Sequence, residues 1–318
     1  MVQSAQDVAS RQPRDGGADG PEALVIRVRS PRQLFWLRFK QDKLAIAGGV
    51  SILVMLLMAL SAGFWAHLTG HPYNFIDIRN RTDSFGIPLG PDGNYWFGSD
   101  NLGRDLFVRV LYGARVSLRI AFLATGAEMV IGVFVGLIAG YRRGWVDTML
   151  SRLMDLVLSV PFLLLGIALA VAFTPSEKLV IFLITFFGWP YIARIVRGQA
   201  LSLRESQFVE AAQSLGAPSR WIMFREILPN LIAPILIYST LVIPANILGE
   251  AGLSFLGVGI QEPTPAWGTM LANATQYVAL GTAWWYRAFP GLALFITVLG
   301  FNLLGDGLRD ALDPRTGR

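Results

Sequence analysis

Six apolar stretches, at 44–66, 116–140, 149–173, 179–196, 231–256 and 287–308, constrain this chain of 318 residues more than any motif in it. A helix that spans a bilayer takes about 20 mostly apolar residues. Lipid offers no hydrogen bonds, so every backbone N–H and C=O must be satisfied within the segment. Each stretch approaches that length, and the expected fold class is an all-α polytopic membrane protein with six transmembrane helices. Composition agrees: 53% of the residues are hydrophobic and 15% charged, with a mean hydropathy of +0.48, outside the usual range of soluble domains.

Orientation follows from the loops, because cytoplasmic loops carry the excess of Lys and Arg. Segments 67–111, 174–178 and 257–285 hold only Arg79, Arg81, Arg104, Arg109 and Lys178, whereas 24–43, 141–152, 194–225 and 309–318 hold 17 basic residues. Both termini are therefore expected in the cytoplasm. The same asymmetry accounts for the formal charge of +5, which makes the basic residues membrane-flanking and removes the need for a nucleic-acid partner. With no cysteine, the chain forms no disulfide, thiolate metal site or cysteine nucleophile.

Residues 1–30, rich in Gly, Asp, Gln, Arg and Ser, read as a disordered cytoplasmic tail. A basic interfacial segment follows at 31–43, with Trp36 and Phe39 at headgroup level and its cations among anionic lipids. The first apolar run, 44–66, starts too late and runs too long for a cleavable signal, and reads as a retained anchor. Beyond it, 67–111 is a turn-rich outer segment in which Ser99 or Asp100 can cap the helix entering span two, with Asp105 in its early turns. Its acids lack the alternating spacing of a calcium loop. His67 and His71 are four apart, but Gly70 and Pro72 break the helix that would aim them at one zinc ion.

The remaining body, 112–318, carries its own markers. Gly132, Gly136 and Gly140 recur every fourth residue, leaving a groove where another helix can approach. Glu128 lies in the same span, at a depth where an ionisable group needs a cavity or a partner. Arg152 and Asp155 can pair on one helix face. Span five is interrupted by Pro234 and Pro244 and ends in Asn246 and Glu250 ahead of a Gly-rich run, so Glu128, Asn246 and Glu250 are candidate pathway or gate residues. Trp284, Trp285 and Tyr286 suit an outer aromatic belt, and Asn302, Asp306 and Arg309 suit tethers at the inner surface.

Segment 198–229 is the polar, helix-prone loop between spans four and five. Gly216 to Pro218 divides it into two short helices, the first with an apolar face of Phe208, Ala211, Ala212 and Leu215, the second with Trp221, Phe224 and Ile227 or Leu228. Small alanines beside the Glu210 carboxylate suit a groove in another protein; the alternative is packing against the chain's own bundle.

The pattern Glu210-Ala211-Ala212, Gly216 and then Ile227-Leu228-Pro229 resembles the EAA loop of inner-membrane permeases in ABC importers. Blocks at 97–118, 247–271 and 301–315 are similar, in the same order, to the C-type permease of the dipeptide and oligopeptide importers, so the resemblance covers most of 30–315. Glu262, Ala266 and Glu128 depart from that pattern, which puts cargo preference in doubt and leaves coupling intact. The resemblance implies a multi-pass protein of a prokaryotic inner membrane. It further implies a second homologous permease, two ATP-binding subunits that bind ATP and Mg²⁺, an extracytoplasmic substrate-binding protein, and a coupling helix formed by Glu210, Ala211 and Ala212. Gly216 would set its bend, and Pro229 would end the loop. Peptides are the expected cargo, with nickel chelates or glutathione as alternatives. The chain has no cofactor of its own and no G-x-x-x-x-G-K-[ST] loop to hold nucleotide, so it is not expected to be an enzyme. An ion-coupled secondary transporter would show an internal repeat, and none is apparent.

Overall fold

The computed structural model describes residues 31–278 and 280–312. The expected tail at 1–30 and the end of the last sequence block, 313–318, lie outside the described residues. Within them the regular structure is helical, apart from two isolated bridges that pair Thr82 with Pro88 and Ser99 with Asp105.

Helix α1 (Pro31–Gln41) is divided from α2 (Lys43–Leu60) by Asp42, whose carboxylate accepts the amides of Leu44 (2.9 Å) and Ala45 (3.0 Å). The first expected span is α2 together with α3 (Ala62–Thr69), which ends at Gly70 in the left-handed region, φ +73°. A single turn, α4 (Ile78–Arg81), interrupts the following loop. Span two belongs to a much longer helix, α5 (Leu106–Arg142). Its cap is neither Ser99 nor Asp100 but Asp105, which accepts from Phe107 N at 2.9 Å and Val108 N at 3.3 Å.

The expected single span 149–173 is two helices, α6 (Gly144–Ser159) and α7 (Phe162–Ala172), which meet at 73°. Pro161 is the cause: it has no N–H to continue α6, and its ring drives Val160 into an extended conformation. After α8 (Glu177–Arg204) and α9 (Gln207–Ser214), the chain differs from expectation again. Helix α10 (Ser219–Trp221), a π-helical turn (Ile222–Ile227) and α11 (Leu228–Phe255) run on as one helical stretch, Ser219–Phe255, instead of a second short helix followed by a span. The wider π turn directly precedes Pro229 and carries the chain past a residue that lacks an N–H. Helix α12 (Trp267–Ala274) and α13 (Trp284–Leu312) complete the order. Among the described residues five helices are long and apolar enough to cross a membrane, or six if α6 and α7 count as one bent span.

Small residues decide the packing. A Cβ at Gly132 would lie 2.6 Å from Ile192 Cβ, at Gly136 2.4 Å from the Ala193 carbonyl, and at Gly140 2.7 Å from Ala200 Cβ, so the glycine row is where α5 meets α8. Lipid gives helices no hydrophobic drive to associate, and close backbone approach replaces it. Helix α2 meets α13 in the same way, a Cβ at Gly48 falling 2.6 Å from the Gly300 carbonyl. Helix α11 lies against both α5 and α13. Asp155 is 3.7 Å from Arg152 as expected, but its nearer partner is Arg194 of α8, at 2.6 Å.

Candidate functional sites on the α9 loop and around Glu128

Helix α9 divides its residues between two sides. Val209 and Ala212 are buried, in one apolar cluster with Ile222, Met223, Ile227 and Leu231 of the stretch leading into α11. Glu210, Ala211 and Gln213 are exposed, Leu215 is 88% exposed, and Phe208 is 38% exposed. The expected apolar face is therefore split: Ala212 points into the bundle, while Phe208, Ala211 and Leu215 form an uncovered stripe. Trp221 and Phe224 are also exposed, whereas Ile227 is buried, Leu228 half-buried and Pro229 exposed. Gly216 closes α9 at φ +78°, and its N–H donates to the Gln213 carbonyl at 2.9 Å. Among the described residues, chain neighbours aside, no atom lies within 4 Å of a Cβ there, so the glycine is demanded by the left-handed backbone and not by crowding.

The structure joins Glu128 to Asn246 and leaves Glu250 apart. Asn246 Nδ2 donates to Glu128 Oε2 and to Thr125 Oγ1, both at 2.9 Å, which ties α11 to α5. Both amide protons are then committed, and the other carboxyl oxygen of Glu128, fully buried, has no hydrogen-bond partner among the described residues. It sits where a side chain at position 188 would begin: a Cβ on Gly188 of α8 would fall 1.9 Å from Oε1. Glu128, Gly188 and Asn246 border a cavity of about 530 Å³ at the α6–α7 bend. One turn further along α11, buried Glu250 accepts from Ser254 Oγ at 2.7 Å, and that hydroxyl also accepts from Ile260 N at 3.1 Å. This arrangement holds the end of α11 to the turn that follows it.

Residues 132–318, more than half of the chain, match the family described as the binding-protein-dependent transport system inner membrane component. The chain belongs to this family of permeases. Residues 30–86 match the N-terminal transmembrane domain of oligopeptide transport permease C. The permease is 41% identical over 295 residues to the dipeptide transport system permease protein DppC of Alkalihalophilus pseudofirmus, covering 93% of each chain. It is 40% identical over 294 residues to the glutathione transport system permease protein GsiD of Pectobacterium atrosepticum, covering 92% of this chain and 94% of that one. A solved inward-facing structure of the MetNI methionine ABC transporter superposes with a TM-score of 0.53 and 22% identity, over 65% of this chain and 96% of the other, a likeness of fold. The family read from the four sequence blocks is the one to which the chain belongs.

The permease also carries a polar centre that no sequence motif announces. Arg104 donates from Nε to Asp100 Oδ2 (2.7 Å) and from Nη1 to Glu262 Oε2 (2.6 Å). Arg109 Nη2 donates to both Glu262 oxygens at 3.0 Å, and its Nη1 reaches the carbonyls of Tyr73 (3.0 Å) and Pro263 (3.3 Å). Burial pushes the Glu262 carboxyl upward, but the two guanidiniums outweigh it and hold the group below the usual carboxylate range. Three segments distant in sequence are pinned here: the loop after α3, the start of α5 and the turn before α12. His71 Nδ1 pairs with Asp105 Oδ2 at 3.0 Å beside the same helix start. The expected aromatic belt is reduced to Trp284. Trp285 packs against Gly90 and Gly98, and Tyr286 is buried, donating its hydroxyl to Asn101 Oδ1 at 3.0 Å. At the other end of α13, Asn302, Asp306 and Arg309 are exposed. Val209 and Gly188, the two residues that seat α9 and make room for Glu128, were absent from the sequence reading; neither belongs to a periodic pattern.

Proposed function

We propose that this permease forms half of the translocation pathway of an ATP-driven importer of di- and oligopeptides, with a second homologous permease supplying the other half. Two ATP-binding subunits or domains drive it, and an extracytoplasmic binding protein delivers the cargo. The observation that carries this reading is α9, a helix anchored through Val209 and Ala212 and bare on its far side at Glu210, Ala211 and Leu215. A short helix seated in the bundle and open to a partner suits transmission of a rigid-body movement. ATP and Mg²⁺ belong to the partner subunits, since the sequence has no phosphate loop.

Segment 198–229 is cytoplasmic in this reading, as are the tail at 1–30 and the basic segment at 31–43; 67–111 covers the outer face. Helices α6 and α7 make one bent crossing, giving six spans within the inner membrane. The distribution of Lys and Arg between the two sets of loops supports that orientation. Peptide cargo is supported by the dipeptide permease relative, and the glutathione permease, of nearly equal identity, supports glutathione as a second reading. Glu128 and Asn246 line the pathway, and Glu250 fixes the end of the helix that gates it.

Two substitutions test the coupling. Glu210→Arg reverses the charge on the bare side of α9, and Gly216→Pro imposes a backbone incompatible with φ +78°. Both variants are expected to insert and assemble but to hydrolyse ATP without peptide uptake. Wild-type uptake by either one in membrane vesicles would overturn the assignment, and uptake driven by a proton gradient without ATP would replace it with an ion-coupled mechanism.

A further inference from the structure

The Glu128 carboxyl is an incomplete site. One oxygen is held by Asn246, and among the described residues the other has no partner and the cavity it borders has no Lys, Arg or His in its lining. A buried carboxylate without a counter-charge is costly, and it is completed by a proton or by a cation. Gly188 is what makes room for the carboxyl. Any side chain there would occupy the position of Oε1, whereas the bare backbone leaves a notch in α8 that the carboxyl fills at the border of the space at the α6–α7 bend.

The remaining walls narrow the chemistry of what enters. Tyr191, Phe162 and Phe187 place aromatic surface around the cavity, and Asn246 has no free amide proton for an anion. A single carboxylate without histidine or cysteine is a poor metal centre, but one anionic oxygen among aromatic rings is a fitting receptor for an organic ammonium. A volume of about 530 Å³ lies within the range of small-ligand pockets.

We propose that Glu128, seated in the Gly188 notch at the border of this cavity, accepts the free amino terminus of a peptide in transit, so that this cavity is a cation-selecting subsite of the pathway. The proposal rests on the peptide-permease reading above. The ammonium donates N–H to Glu128 Oε1 while Asn246 keeps Oε2 in place, and the aromatic walls take the side chains. Glutathione carries the same group and falls in the same ligand class.

The test uses the complete transporter complex in detergent, without ATP or binding protein, and follows two probes by saturation-transfer NMR: alanyl-phenylalanine and its N-acetylated form. Wild-type complex is expected to bind the free-amino probe about tenfold more tightly, the worth of one charge-assisted hydrogen bond. Glu128→Gln keeps the bond from Asn246 and is expected to abolish that preference. Equal affinity for the two probes in wild type, or a preference that survives in Glu128→Gln, overturns the proposal. Neither result depends on nucleotide, so the α9 assignment stands or falls separately through ATP-driven uptake.

Discussion

Two carboxylates, the partly exposed Glu262 and the buried Glu128, meet opposite fates in this permease. Glu262 is clamped by Arg104 and Arg109, and both of its oxygens are bonded. Among the described residues, Glu128 has one amide for a partner and one oxygen with none. The first arrangement joins three loops and contains its own counter-charge, which is how an ionic group serves as a fastener. The second leaves capacity unused within a packed helix interface, where a fastener would have been completed. Saturation suits a structural role; Glu250, tied to Ser254, also keeps one oxygen without a partner among the described residues, so what sets Glu128 apart is the cavity it borders.

Removal of Glu262 should have the largest effect. Glu262→Ala leaves two buried guanidiniums sharing Asp100, and a stability loss of about 2–4 kcal/mol is expected, moderated because part of the Glu262 side chain reaches solvent. Thermal denaturation of the purified complex measures it. Glu128→Gln, by contrast, should cost less than about 1 kcal/mol, because an amide oxygen still accepts from Asn246; a loss as large as that of Glu262→Ala would erase the distinction.

The notch supplies an intermediate effect. Gly188→Ala sets a methyl against the Glu128 carboxyl and should destabilise by about 1–3 kcal/mol through overpacking. In a Glu128→Ala background the same change should be nearly neutral, a coupling that a double-mutant cycle reads directly. Additive effects would mean that the carboxyl does not occupy the notch.

Acidification gives the smallest and most selective readout. The folded-state value of Glu262 is depressed, so its contribution is present above the ordinary carboxylate range and lost as pH falls through the folded value. Wild-type stability should therefore decline below about pH 4, and Glu262→Gln should flatten that part of the profile. An unchanged profile in the variant would remove Glu262 from the fastener.

Several of these features were legible in the residues and others were not. The row Gly132, Gly136, Gly140 declared a helix contact, and the contact with α8 uses all three. Gly216 declared a turn and supplies it. Asp105, which by sequence suits a charge in the early turns, is the cap itself, because cap position depends on where the chain enters the helix and not on which acid comes first. Pro161 stood in view within an apolar run, yet hydropathy averages over a proline and the 73° bend disappeared into a single span. Glu262 was visible only as a departure from a family pattern, since Arg104 and Arg109 lie more than 150 residues away from it.

By itself the sequence determined what depends on local chemistry and on the solvent: helices, because an apolar run of about 20 residues in lipid satisfies its backbone hydrogen bonds within itself; their number to within one bent pair; the family; and the turn at Gly216. Tertiary structure alone decided which side of α9 is bare, which acids are saturated and which glycine opens a notch. Those properties belong to pairs of helices brought together from distant parts of the chain, and a periodicity read along one helix does not contain its partner.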